Sequence, residues 1–183
     1  GFSMDVGGII DTDTFWSHSD SPIIFTANIQ VAHGSTLTIG PGTIVEGNNF
    51  DLQIFGNLMV NGIKGSEVVF NNLYIFPGEG LTGEYALIDI VHARLNYGAV
   101  HCKSTGLPDN NGSLSLRNSV LNQTDILDIH YPAFDCYIES NIFLDTRFIE
   151  VSTSNDVKVY IRNNAFKNPN SYNFDGSILP DIL

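Results

Sequence analysis

Apolar and polar residues alternate through most of this chain, and the alternation is itself repeated. Between Ile88 and Phe174 one nine-residue pattern occurs four times, as IDIVHARLN, LSLRNSVLN, CYIESNIFL and VYIRNNAFK. Each copy is an alternating apolar stretch with His92, Asn118, Ser140 or Asn163 at its fifth position, and Leu95, Leu121, Phe143 or Phe166 three residues later. The copies begin 26, 22 and 23 residues apart. A period of this size means a solenoid. Leucine-rich repeats share the spacing, but here apolar residues fall at i and i+2, the period of a strand, and no helical spacing lies between copies. A second strand recurs after each copy at Val100/Cys102, Leu127/Ile129, Ile149/Val151 and Tyr172/Phe174. Two strands per coil are therefore predicted in this half.

From Ile23 to Asn72 the alternation is continuous and suggests three strands per coil. Equivalent starts are Ile29 and Leu52, Leu37 and Leu58, and Ile44 and Val68. Gly34, Gly40, Gly42, Gly47, Gly56 and Gly62 fall at the corners, where positive φ is expected. The whole reads as one all-β domain, a single-stranded parallel β-helix of about six coils. Residues 1–22 are expected to cap its N-terminal end, 23–174 to form the coils, and 175–183 to be a C-terminal cap or tail. Phe15 and the single tryptophan, Trp16, suit the lid that an open solenoid end requires; the alternative role for Trp16 is stacking on a sugar.

Stacked coils turn the repeat into columns about 4.8 Å apart. The inward columns are Ile88/Leu114/Cys136/Val159, Ile90/Leu116/Ile138/Ile161 and Leu95/Leu121/Phe143/Phe166. His92/Asn118/Ser140/Asn163 is expected to be a polar ladder at a bend. Among the outward columns, Val91/Arg117/Glu139/Arg162 places a glutamate between two arginines. Asp89/Ser115/Tyr137/Tyr160 places two tyrosines one coil apart. His101/Asp128/Glu150/Asn173 and Lys103/His130/Ser152/Asp175 form an exposed acidic and histidine strip.

Charge narrows the partners. Eight Lys and Arg stand against twenty Asp and Glu, a net charge of -12, which excludes binding that depends on neutralising nucleic-acid phosphates. The same charge disfavours an acidic polysaccharide unless a divalent cation bridges the two. No apolar run is long enough to cross a membrane. The chain opens Gly1-Phe2-Ser3-Met4 without a basic and apolar leader. Cys102 and Cys136 occupy inward positions as free thiols, and their spacing makes no zinc motif. Asn111-Gly-Ser113 and Asn122-Gln-Thr124 match a short glycosylation pattern. Only Thr36-Leu37-Thr38 has the form of an ice-binding row.

The string GSTLTIGPGTIVEGNNFDLQIFGNLMVNGIKGSEVVFNN, residues 34 to 72, resembles the opening coils of right-handed parallel β-helix proteins of the pectate-lyase-like superfold. It is most similar to bacterial secreted and cell-surface modules, with an LTI-x-PG-x-x-V turn followed by alternating strands. The resemblance implies the right-handed fold and a secreted or cell-surface location. It leaves function open, because this superfold carries lyases, hydrolases, tailspikes, adhesins and inert scaffolds. Its lyases use an Arg or Lys base with calcium-binding acids. Its hydrolases carry paired aspartates with Gly-His-Gly and Arg-x-Lys strings, which this chain lacks.

The first expectation is therefore a non-catalytic surface module, structural or adhesive, that binds a polysaccharide or surface glycan through Tyr131, Tyr137, Tyr160, Arg117 and Arg162. The second is a polysaccharide lyase or glycoside hydrolase using Asp128, Glu150, His101 and His130. Carboxylates one coil apart match the roughly 5–5.5 Å of a retaining glycosidase pair. No metal or other cofactor is assigned, although a histidine among carboxylates suits a divalent ion and the second expectation leaves a place for calcium. A third is a phage or adhesin fragment that trimerises through an apolar flank. The segments 74–85 and 103–112 interrupt the repeat and would wall a groove.

Overall fold

The computed structural model describes residues 3–78, 85–102, 112–124, 126–130, 132–153 and 157–168, with the backbone alone for 171–175 and 178–181. Its strands are parallel and stack as a β-solenoid of about six turns between incomplete ends. One sheet, the first face, stacks eight strands: Thr14–Trp16, Thr36–Ile39, Asn57–Asn61, Leu87–Val91, Ser113–Arg117, Cys136–Glu139, Val159–Arg162 and Ile178–Asp181. The other sheet has twelve strands and is bent along its length into a second and a third face. Ile23–Val31, Val68–Pro77 and Ala93–Cys102 run through that bend. Later coils divide there, into Val120–Asn122 and Ile126–His130, then Ile142–Leu144 and Phe148–Ser152.

Each coil thus has three faces throughout, where the sequence suggested two strands per coil after Ile88. The strand missed is the one carrying Leu95, Leu121, Phe143 and Phe166. It reads as a continuation of the first strand because it follows after only two residues, yet those two turn the corner. His92, Asn118, Ser140 and Asn163 have φ of 50°, 52°, 57° and 52°. One left-handed residue per coil redirects the chain, and polar residues such as Asn tolerate that conformation better than branched ones. The polar ladder expected at this position lies one residue further on. There Ala93, Ser119, Asn141 and Asn164 point inward, and all four are buried.

That ladder satisfies backbone groups the corner would orphan. Asn141 donates from Nδ2 to Leu116 O at 2.8 Å, and Asn164 donates to Ile138 O at 2.7 Å. Asn141 Oδ1 accepts from the Ser119 N–H at 3.0 Å, and Ser119 Oγ accepts from the Ala93 N–H at 3.0 Å. Ser119, Asn141 and Asn164 each bond to the coil before their own. On the surface a second amide row runs from Asn122 to Asn96 to Asn71 and ends on the Glu46 carboxylate, at 3.3, 3.0 and 2.9 Å.

The inward columns expected from the repeat are in register, including Leu116↔Ile138↔Ile161 and Leu121↔Phe143↔Phe166. Phe143 and Phe166 stack with centroids 4.9 Å apart. One early pairing was misread: Ile44 pairs with Val69 rather than Val68, so the inward pair is Val45 and Phe70. Adjacent apolar residues, Ile44-Val45 and Val68-Val69, leave the alternation ambiguous by one. Tyr74–Pro77 belongs to a strand rather than to an irregular insertion. Residues 79–84 and 103–111 lie outside the described residues.

Two of the six corner glycines, Gly34 and Gly42, have the expected positive φ. The other four, Gly40, Gly47, Gly56 and Gly62, do not, and close approach explains them instead. A Cβ on Gly62 would strike the His92 carbonyl of the next coil, and one on Gly56 the Ser35 carbonyl.

The first residues form an incomplete coil. Met4–Ile10 pairs with Ile23–Val31, and Thr14–Trp16 with Thr36–Ile39. Trp16 is buried edge-on against Phe25, with centroids 6.1 Å apart, so it offers no ring to a sugar. Phe15 lies exposed on the outer surface. The core is continuous from Trp16 to Ile161.

Candidate functional site

Two outward regions gather the side chains singled out from the sequence, one on the first face and one on the third. On the first face, register brings Asp89, Ser115, Tyr137 and Tyr160 into one column. Tyrosines one coil apart are spaced for stacking, and Tyr137 and Tyr160 lie nearly parallel with centroids 5.1 Å apart. They form a stack along the axis. The Arg162 guanidinium lies 4.4 Å from the Tyr160 centroid, a cation–π contact.

The stack ends at Tyr137, because the preceding coil carries only Ser115 in that column. The small serines Ser113 and Ser115 leave a depression of about 370 Å³ beside the tyrosine, bounded by Leu87, Asp89, Arg117 and Asp135. This is near the lower end of small-ligand pockets, about 300–1,000 Å³. Tyr137 is 39% exposed. Arg117 pairs with Asp89, Nη2 lying 2.9 and 3.1 Å from the two carboxylate oxygens. The expected Arg-Glu-Arg ladder is therefore divided: Glu139 faces Arg162 at 3.7 Å, while Arg117 reaches back one coil to Asp89. A longer reach serves Arg117 better because Asp89 offers both oxygens to it.

On the third face, His101, Asp128 and Glu150 are register partners on successive coils, and His130 follows Asp128 by two residues on the same strand. The four converge as the column map requires. His130 Nε2 lies 2.7 Å from Asp128 Oδ1 and 3.6 Å from Glu150 Oε2. His101 Nδ1 lies 3.5 Å from Asp128 Oδ2. The strip is not uniformly exposed, however. Asp128 is 3% exposed, whereas the Glu150 side chain is at 37%. The Asp128 carboxylate oxygens face the His130 and His101 imidazoles. Tyr131 lies outside the described residues.

No family model, no curated protein and no solved structure matches this chain. The geometry alone therefore carries the reading. What it supports is a parallel solenoid with an aromatic-walled depression on one face and a histidine-carboxylate cluster on another. No helix among the described residues is long and apolar enough to cross a membrane.

Sequence reasoning identified Tyr137, Tyr160, Arg117 and Arg162 but missed Asp135, Leu87 and Ser113 as their neighbours. The signal was present in the column Asp89/Ser115/Tyr137/Tyr160, where a small residue precedes an aromatic one. Asp51 was also missed. Burial raises its carboxyl, and the charge of His101 acts in the opposite direction. The thiols are both buried. A hydrogen bond with Cys136, together with burial, pushes the Cys102 thiol well above its ordinary range.

Proposed function

We propose that this protein is a non-catalytic, secreted or cell-surface solenoid module that binds carbohydrate in the depression beside Tyr137. The observation that carries the reading is the end of the tyrosine stack. Tyr160 covers one ring face of Tyr137, and the opposite face borders the space left by Ser115. An apolar ring face beside hydrogen-bonding groups suits the two sides of a pyranose. Asp89 and Asp135 accept from sugar hydroxyls, and the Arg117 guanidinium donates.

The charge of -12 points to a neutral glycan, since a polyuronate would be repelled. Rigidity supports the same reading. The ring, Asp89 and Arg117 stand on paired strands, with Asp135 directly before one, and lose little freedom on binding. The surface location rests on the rod-like architecture that displays this row of side chains outward.

The test is a panel of neutral and acidic polysaccharides, with and without calcium, scored both for retention and for release of reducing or unsaturated ends. Retention of a neutral glycan without release, weakened at least tenfold (about 1.4 kcal/mol) by Tyr137→Ala, supports the proposal. Release of chain ends that is lost in Glu150→Gln makes the protein an enzyme acting from its third face. Absence of any retention refutes carbohydrate binding.

A further inference from the structure

The cluster on the third face lies away from the carbohydrate depression and takes no part in it. We propose that Asp128, His130 and Glu150 bind one divalent transition-metal ion of the zinc class, with His101 as the residue that positions Asp128.

The three donor atoms lie within 4.8 Å of one another. Zinc bonds of about 2.0–2.1 Å place tetrahedral ligand atoms about 3.3 Å apart. The observed separations, 2.7 Å from His130 to Asp128 and 3.6 Å from His130 to Glu150, lie on either side of that value. Closure needs side-chain rotations that bring three atoms now within 4.8 Å of one another to that separation. The backbone need not move, because Asp128 and His130 stand on one strand and Glu150 is paired directly across from Asp128.

His130 Nε2 faces both carboxylates, and one of these belongs to an almost fully buried aspartate. Gathering two carboxylates in one place costs free energy that a dication offsets. His101 approaches the other oxygen of Asp128, at 3.5 Å. That leaves Oδ1 directed toward His130 and places His101 as the outer partner that orients a ligating carboxylate.

The donor set also selects the metal. Calcium requires six to eight oxygens, whereas an imidazole nitrogen with carboxylate oxygens suits zinc, copper or nickel.

The intact chain, freed of metal by chelation, is titrated with zinc chloride by calorimetry and with cobalt(II) by visible spectroscopy. One equivalent of zinc and the ligand-field bands of a four- or five-coordinate cobalt site are expected. His130→Gln should weaken zinc at least 100-fold, and His101→Gln by about 10–100-fold. His33→Gln and Tyr137→Ala should leave it unchanged, which separates this site from surface histidines and from the glycan site. Should Asp128→Asn fail to fold, Glu150→Gln removes a more exposed ligand and serves in its place. Wild-type affinity in His130→Gln, no zinc uptake at all, or calcium displacing zinc at equal concentration would each overturn the assignment.

Discussion

Asn141 and Asn164 stand one coil apart inside the solenoid and make the same bond, each amide donating to a carbonyl of the preceding coil. Asn164 Oδ1 also accepts from the Asn141 backbone N–H at 2.9 Å. The pair links sequence repeat to fold stability. Asn141→Ala leaves the Leu116 carbonyl and the Ser119 N–H buried without these partners. At about 1–3 kcal/mol per orphaned group, a loss of roughly 3 kcal/mol is expected in urea denaturation. Asn122→Ala, in the surface row, should lose less than about 1 kcal/mol because water replaces its partner.

The preceding corner behaves differently. Ser140 has φ of 57°, so its conformation rather than its hydroxyl is what the coil needs. Ser140→Gly should retain or raise the thermal midpoint, and Ser140→Val should lower it by the equivalent of about 1–2 kcal/mol. Equal effects of the two substitutions would contradict a left-handed corner.

These two positions show what was legible in the string and what was not. Alternation disclosed the columns, since inward residues such as Leu116, Ile138 and Ile161 carry their face with them. The bonding ladder was read one residue early, because Asn118 and Asn163 at the corner are as polar as Asn141 and Asn164. Only backbone dihedrals separate a residue that turns from one that bonds. Burial of Asp128 was hidden for a related reason. Its column position is outward, yet its side chain is nearly enclosed, with His101 of a neighbouring coil and His130 of its own strand beside it. The tyrosine stack followed from register, but the depression beside it depended on Ser113 and Ser115 being small, a property of the gap rather than of a motif.

Cys102 faces Cys136 in the core, and its thiol is held protonated. In native buffer at pH 8 both thiols should resist alkylation, and both should react fully in denaturant. Mass spectrometry of the labelled chain measures this directly.

Asp51 carries a carboxyl whose pKa burial raises. A raised acid favours the protonated native state, so ionisation costs stability above the folded pKa, and the cost disappears as pH falls through the carboxylate range. Asp51→Asn should therefore be at least as stable as wild type at pH 7, and any gain should shrink toward acid pH. Thermal midpoints from pH 7 down to pH 4 give the comparison. A gain that grows on acidification has the wrong sign.

The carbohydrate reading depends on the space beside Tyr137, and Ser115→Tyr tests that space with the least disturbance. The new ring continues the existing stack by one coil and fills the depression, so the thermal midpoint should stay close to that of wild type. Retention of neutral polysaccharide should fall at least tenfold. Retention at the wild-type level in a folded Ser115→Tyr protein would place any glycan site elsewhere and contradict the account.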